Sequence, residues 1–333
     1  MDEFITLDYG SGGRKTSALI HELILPAFGN AFLSSLGDGA VLPGADRLVF
    51  STDSFVVSPL FFPGGNIGKL AVCGTLNDVS MAGGEPKYLS LSLVIEEGFS
   101  AEDLKKILAA AAEEVKKASV FVVTGDTKVV EKGGCDGLFI NTAGIGVLKR
   151  PGLSPSAIRP GDAVLVSGPL GNHGMTILLA RHPQMLEADL RSDCANLSPM
   201  AQALYALGES LRVLRDPTRG GLATVLAELS EGANLGMELQ EKLIPVDPSV
   251  RTACDILGLD PLYSANEGKL IAVVSADKKE EALALMRRFP EGEKAAVIGE
   301  VCAEHPGLPV LRTPWGSSRL LTALAGAQFP RIC

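Results

Sequence analysis

Cys333, the last residue of the sequence, follows Pro330-Arg331-Ile332, and a thiol in that position can carry a covalently attached group. It is not a prenylation signal, which needs three further residues after the cysteine. The neighbouring α-carboxylate raises the thiol pKa and Arg331 partly offsets it. Cys333 is therefore expected to be a weak nucleophile until it enters another protein's active site. Upstream lie four short acidic stations: Gly37-Asp38-Gly39-Ala40, Asp53 within 47–57, Asn77-Asp78 inside an apolar stretch, and Thr124-Gly125-Asp126-Thr127-Lys128. Each acid alone reads better as a turn former, a cap or a satisfied core polar group. Several carboxylates gathered without a counter-ion repel one another, and Mg²⁺ is the partner that relieves this while bridging polyphosphate oxygens.

A glycine-rich segment, Tyr9 to Thr16, adds Gly10, Gly12 and Gly13 beside Arg14 and Lys15. Successive backbone N–H groups there can cradle an anion. It is not a Walker A loop, because Arg14 stands where that pattern requires glycine before the lysine.

The elements that must position these residues follow from periodicity. Residues 47–57 read as a strand by their β-branched and aromatic content. Residues 66–83 read as a largely buried helix and 88–95 as a strand. An alanine-rich amphipathic helix spans 101–118, and 120–123 is a buried strand running into the fourth station. Residues 148–160 are rich in breakers and basic residues, as an interdomain linker would be. The expected division is an N-terminal glycine-rich segment 1–36, a domain 37–150, a second domain 151–312 and a tail 313–333.

The second domain opens with a strand at 163–167, then Gly168-Pro-Leu-Gly171-Asn172-His173-Gly174 before a helix starting near Met175. His173 reads as a packing or capping residue more readily than as a catalyst. Thr218 is a fair N-cap for a helix over 222–229. Strands at 270–274 and 295–301 flank a helix at 279–289. Glu267, at a strand entrance, reads most simply as a solvated loop carboxylate. The uncharged residues 323–330 should dock at least partly on the body.

At 333 residues, 46% of them apolar, the chain suits two domains with real cores. A net charge of −9 with scattered basic residues excludes a nucleic-acid footprint. The acidic start MDEFITL is unlike a secretory signal and no apolar run is long enough to span a membrane, so a cytoplasmic protein is expected. Six unpaired cysteines, Cys73, Cys135, Cys194, Cys254, Cys302 and Cys333, fit buried free thiols rather than zinc or redox motifs. GxSxG, HExxH and EF-hand patterns are absent from the sequence.

The stretches GDGA (37–40), STDSFVV (51–57), LNDVSMAGGEP (76–86), TGDTKV (124–129) and NTAGIG (141–146) resemble the ATP-binding half of the aminoimidazole-ribonucleotide synthetase (PurM-like) superfamily. That resemblance covers most of 37–310. It implies a mixed α/β (α+β) two-domain fold and a homodimer whose N-terminal sheets share a barrel. It also implies Mg-ATP binding through Asp38, Asp53, Asp78 and Asp126, with Asn77, Thr127, Thr142, Asp216 and Arg219 along the nucleotide cleft. The Pro-Arg-Ile-Cys ending is similar to the HypE family of carbamoyl dehydratases within it. In that family the carbamoyltransferase HypF loads the terminal thiol and Mg-ATP activates the carboxamide oxygen. Loss of phosphate leaves a protein thiocyanate, destined for the iron of nickel–iron hydrogenase through the HypC–HypD scaffold. By the same resemblance Glu267 is the base and Lys128, beside it, stabilises developing negative charge. Gly326 should let the tail move between two sites. Two alternatives stay open: a selenophosphate synthetase or thiamine-monophosphate kinase type of enzyme acting on a free small molecule, and a non-catalytic carrier. Against the selenophosphate type, no cysteine precedes Cys73.

Overall fold

The computed structural model describes residues 2–11, 13–37, 39–324 and 333. Gly12, Asp38, Gly326 and Arg331 therefore lie outside the described residues. The architecture is mixed α/β. Among the described residues the strands build two main sheets.

The first sheet comprises β1 (Leu48–Phe55), β2 (Gly84–Glu96), β3 (Phe121–Val130) and β4 (Leu138–Leu148), in the order β1-β4-β2-β3. Only β2 and β3 are parallel. Helices α1 (Ile67–Met81) and α2 (Ala101–Ala118) separate these strands in the chain. Asn66 caps α1 by accepting from the N–H groups of Gly68 and Lys69, and Ser100 caps α2 through Asp103 N–H; these side chains satisfy donors a helix start leaves open. Helix α1 is apolar almost all round, as a helix packed on both sides must be. It touches the inner face of the first sheet and also the second domain, where a buried Ser80 hydroxyl donates to Ser198 Oγ at 2.8 Å.

The second sheet has seven strands: β5 (Ala163–Val166), β6 (Leu211–Arg215), β7 (Gly236–Gln240), β8 (Ile271–Val274), β9 (Ala296–Cys302), β10 (Pro309–Arg312) and β11 (Ser318–Leu320). Their order is β11-β10-β7-β9-β5-β8-β6. Its central strands β5 and β8 are buried at every position, because helices cover both faces. One face carries α3 (Gly221–Ala233) over a Val/Leu core. The other carries α4 (Lys279–Met286) and residues 198–205.

The expected elements appear with shifted ends. The fourth acidic station does not follow a strand but lies within β3, since pairing with β2 continues from Phe121 through Val130. The helix expected near Met175 begins at Asn172. Helix α3 is not capped by Thr218: Gly220 occupies the cap at φ 78°. Gly221, also left-handed at φ 60°, lies so close to the 262–264 backbone that a Cβ would fall 2.6 Å from Ser264 O. A side chain at 221 would therefore push the two loops apart.

No described helix is long and apolar enough to cross a membrane. The exposed face of the first sheet carries an apolar row running across all four strands. Phe50 pairs with Ile145, Ile145 with Tyr88, and Tyr88 with Phe121, and Phe50 is 66% exposed.

The two domains are tied through Asn77 on α1. Its Nδ2 donates to Ala195 O at 3.0 Å, and Leu197 N–H donates to its Oδ1 at 2.7 Å, with the residue 1% exposed. Asn77→Ala leaves two buried backbone groups without partners, so it should lower unfolding free energy by about 2–4 kcal/mol. Chemical denaturation measures this, and a loss below about 0.5 kcal/mol would contradict the strut.

Candidate active site

Three loops of the second domain meet behind Glu267, and Asn266 fastens them. Its Oδ1 accepts from Gly171 N–H at 2.8 Å. Its Nδ2 donates to Pro217 O at 2.9 Å and Ser264 O at 3.0 Å. Glu267 itself is clasped by residues 193–195: its N–H donates to Asp193 Oδ1 at 3.1 Å, and its carbonyl accepts from Ala195 N–H at 3.2 Å. Gly268 makes this approach possible, because a Cβ there would collide with the Asp193 carbonyl. Lys269 lies 3.7 Å from Asp193 Oδ2 in a buried ion pair.

The Glu267 carboxylate points across the domain boundary onto α1. An added Cβ on Gly74 would meet Glu267 Oε2 at 3.9 Å and the Phe55 ring at 2.9 Å. Glu267 is only 4% exposed, so the solvated-loop reading is corrected: contact between the domains removes its water. Burial pushes its pKa well above the ordinary value, with Cys194, Asp216, Asp193 and Asp53 adding to the shift. A carboxyl held in this way is a stronger base once ionised.

Cys333 docks into the same cleft. Its main-chain oxygen accepts from Val56 N–H at 3.1 Å, and its side chain packs on the first-domain core. The thiol faces Glu267, Arg219 and Asp53. Burial pushes it up to about 12, Glu267 and Asp53 add, and Arg219 opposes. Burial dominates the shift, and among the described residues Arg219 opposes it; Arg331 lies outside the described residues.

Asp53, Asp78 and Asp216 line this cleft, close enough for Asp53 to act on Asp78 and for both to act on Asp216. Burial raises Asp78, a hydrogen bond from Ser51 (Oγ to Oδ2, 2.9 Å) opposes this, and Asp53 adds to it. Burial, reinforced by Asp78, lifts Asp216 to about 7. Among the described residues no three acidic, histidine or cysteine side chains form a metal-ion cage. The donor set of three like-charged oxygen-bearing groups nevertheless fits a hard cation such as Mg²⁺.

Other candidates lie elsewhere. Thr142, fully buried, shares its hydroxyl with Thr75 Oγ1 at 2.6 Å and Ala71 O at 3.0 Å, and the Asn77 amide is engaged with 195–197. Gly10 abuts β3, where a Cβ would be 2.5 Å from Val129 N, while a Cβ on Gly13 would make only an ordinary contact with Ser11 Oγ at 3.8 Å. Asp126 and Lys128 pair with each other at 2.8 Å on an exposed part of β3, and that hydrogen bond lowers the Asp126 pKa. In register, Asp53 faces Thr142, Thr142 faces Leu91 and Leu91 faces Gly125. Three strand spacings, roughly 14 Å, thus separate Asp53 from the fourth station. Within one chain Lys128 does not stand beside Glu267. Thr127, with Asp126, lines a separate cavity of about 170 Å³ under the N-terminal helical residues. His173 is a packing residue: fully buried, it bonds Ser192 Oγ through Nδ1 at 2.8 Å and meets the Phe62 ring edge-on.

Sequence reasoning missed Asp193, Asn266, Cys73 and Cys194. Asp193 and Asn266 sit in loops without a pattern. The two cysteines look like ordinary core thiols.

The descriptions of known proteins agree with this geometry. The N-terminal domain of AIR synthase related proteins matches residues 36–148, and the C-terminal domain of the same family matches 159–309. The carbamoyl dehydratase HypE of Azotobacter vinelandii is 49% identical, over 99% of this chain and 97% of its own. A crystal structure of the hydrogenase maturation protein HypE in complex with ATP superposes with a TM-score of 0.95 at 48% identity, covering 98% of this chain and 99% of that one. A HypE–HypF complex matches at 47% identity and TM-score 0.80, covering 92% and 100%.

Two outcomes follow from the electrostatics. The native state keeps the Asp216 proton up to about pH 7, against 3.8 when unfolded, so it binds the extra proton in that window and stability falls as pH rises through it. Asp216→Asn removes that loss. At pH 8 it should be more stable than the parent by about 1–2 kcal/mol, discounted for partial solvent access, and at pH 4 equal to it; equal stability at both pH values would contradict the shift. Docked Cys333 should alkylate at pH 7.5 more slowly than an exposed thiol, as peptide mapping after timed iodoacetamide treatment would show; faster labelling contradicts the docked state.

Proposed function

The chain belongs to the HypE carbamoyl dehydratase family of AIR synthase related proteins, and from that premise we propose that it dehydrates a carbamoyl group carried on Cys333 to a protein thiocyanate at the expense of ATP. The supporting observation is that Cys333, held by Val56 N–H on its main-chain oxygen, docks where the buried carboxylate of Glu267 is near enough to act on its thiol. The product would be the cyanide source for the iron of nickel–iron hydrogenase.

The carboxamide oxygen on Cys333 attacks the γ-phosphorus of ATP and ADP leaves. Glu267 takes one N–H proton as the imidate forms. The C–O bond then breaks, phosphate departs with that oxygen and the second N–H proton, and the C≡N bond is complete. The sum is carboxamide plus ATP giving thiocyanate, ADP, hydrogen phosphate and one proton. Asp53, Asp78 and Asp216 would hold Mg²⁺, with Asp38 and Asp126 as further family positions; the ion supplies charge neutralisation at the phosphates. Arg219 steadies the docked thiol and any negative charge developing near it. Asn77 and Thr142 contribute by holding α1 against residues 195–197 and against β4.

For loading, the tail leaves the cleft and presents Cys333 to a carbamoyltransferase of the HypF type, and a HypC–HypD type scaffold takes the cyanide. The cell compartment is the cytoplasm. The exposed Phe50–Ile145–Tyr88–Phe121 row supports a homodimer formed by the two first sheets, because a contiguous apolar sheet face marks an interface. In such a dimer Lys128 and Asp126 act on the partner's cleft, which reconciles their distance from Glu267 within one chain.

Intact-mass measurement with a carbamoyl donor system should show an adduct on Cys333 that loses water only when ATP is present. Cys333→Ala should abolish the adduct, and Glu267→Gln should retain the adduct but slow its dehydration by on the order of 10²-fold or more. Unchanged turnover of a free small molecule by Cys333→Ala would favour the rival enzyme class instead. Mixed dimers of Lys128→Ala and Cys333→Ala subunits should regain activity that neither homodimer has; silence in the mixed dimer would place Lys128 outside the partner's site.

A further inference from the structure

Each turnover leaves one proton that Glu267 must release, yet Glu267 is almost sealed. Cys333, Asp53 and Asp216 lie to its front, and Gly74 of α1, with the Phe55 ring of β1 against it, closes its side. Behind it stands a second group of titratable side chains that the dehydration itself does not use. Cys194 borders Glu267 closely enough for their charges to interact, and it lies between Asp193 and Ala195, the two residues that clasp Glu267. Cys194 also shares a hydrogen bond with Cys73, the neighbour on α1 of the Gly74 that meets the Glu267 carboxylate. Both thiols are free and buried, at 3% and 0% exposure. From Cys73 the Sγ–H points on to Glu114 Oε2 at 3.9 Å. The other oxygen of Glu114 accepts from Lys117 Nζ at 3.0 Å, and that lysine is exposed. Glu114, Lys117, Lys69, Ala195 and Asn196 line a cavity of about 270 Å³ at the surface between the two domains.

We propose that Cys194, Cys73 and Glu114 form a proton exit from Glu267 to this rear cavity, on the side away from the docked tail. A thiol both donates and accepts a hydrogen bond, so a proton entering Cys194 from Glu267 displaces the one shared with Cys73. Cys73 then hands its own to Glu114, which releases it to water in the cavity. No bond to sulfur other than S–H forms or breaks, and no oxidant takes part. Cys194 stays neutral at rest, since the hydrogen bond it donates to Cys73 and burial hold its pKa well above the ordinary value. These residues act through Glu267 and touch neither the carbamoyl group nor ATP.

The inference rests on Glu267 being the base, so Glu267→Gln is measured alongside. The full-length protein is loaded by the carbamoyl donor system, and dehydration after ATP addition is followed by intact mass, with ATP affinity and thermal midpoint recorded for each variant. Cys194→Ala and Cys73→Ala should dehydrate on the order of tenfold more slowly, less than loss of a direct acid–base group, with loading and ATP affinity unchanged. Cys194→Ser and Cys73→Ser keep an exchangeable proton and should recover most of the rate, which packing alone would not restore. Glu114→Gln should slow the reaction, with added small carboxylic acids restoring it through the open cavity. If both alanine variants match the parent while Glu267→Gln is slow, the exit is wrong and the base assignment stands. Serine variants as slow as alanine ones overturn the exit by assigning the effect to packing. Parent-like dehydration by Glu267→Gln overturns both readings.

Discussion

A carboxylate kept almost dry between two domains is the constraint on which the rest of this structure depends. Stripping water from Glu267 costs free energy unless the group stays protonated or finds compensation, and nothing local to 264–268 could impose that state. It arises because α1 presents a side-chain-free surface at Gly74 while residues 193–195 grip the Glu267 backbone from behind. Asn77 and Asn266 then act as polar fasteners. Each is buried and each satisfies backbone groups of loops that would otherwise splay. Fully paired buried amides of this kind specify one arrangement of the surrounding chain rather than merely adding stability.

The same closure explains the electrostatics of the cleft. Asp53 raises the proton affinity of Asp78, and both raise that of Asp216, a strain that a cation relieves and that solvent would otherwise screen. Cys333 enters this acidic, desolvated place with its thiol neutral.

Much of this was legible in the residues. The strand around Asp53, the buried helix carrying Asn77 and Asp78, and the amphipathic helix 101–118 follow from patterns of two and 3.6 residues, and the structure bears them out with ends moved by a few positions. The acidic stations were visible as polar residues in apolar surroundings. Their grouping was not: Asp216, distant in sequence, joins Asp53 and Asp78, whereas Asp126 lies across the sheet with Lys128. Thr218 illustrates a local misreading, since the Gly220-Gly221 pair opens α3 in left-handed geometry so that the 262–264 loop can approach.

By itself the sequence determined the secondary structure, the family and the candidate thiol, because periodicity and motif order are local properties of the chain. Only the tertiary structure decided that Glu267 is dry, that Arg219 faces the Cys333 thiol, and that Cys73 and Cys194 meet behind Glu267. Those facts are fixed by residues far apart in the sequence and brought together by packing. Desolvation, and the pKa changes it causes, is a sum over neighbours in space, which no spacing along the chain records.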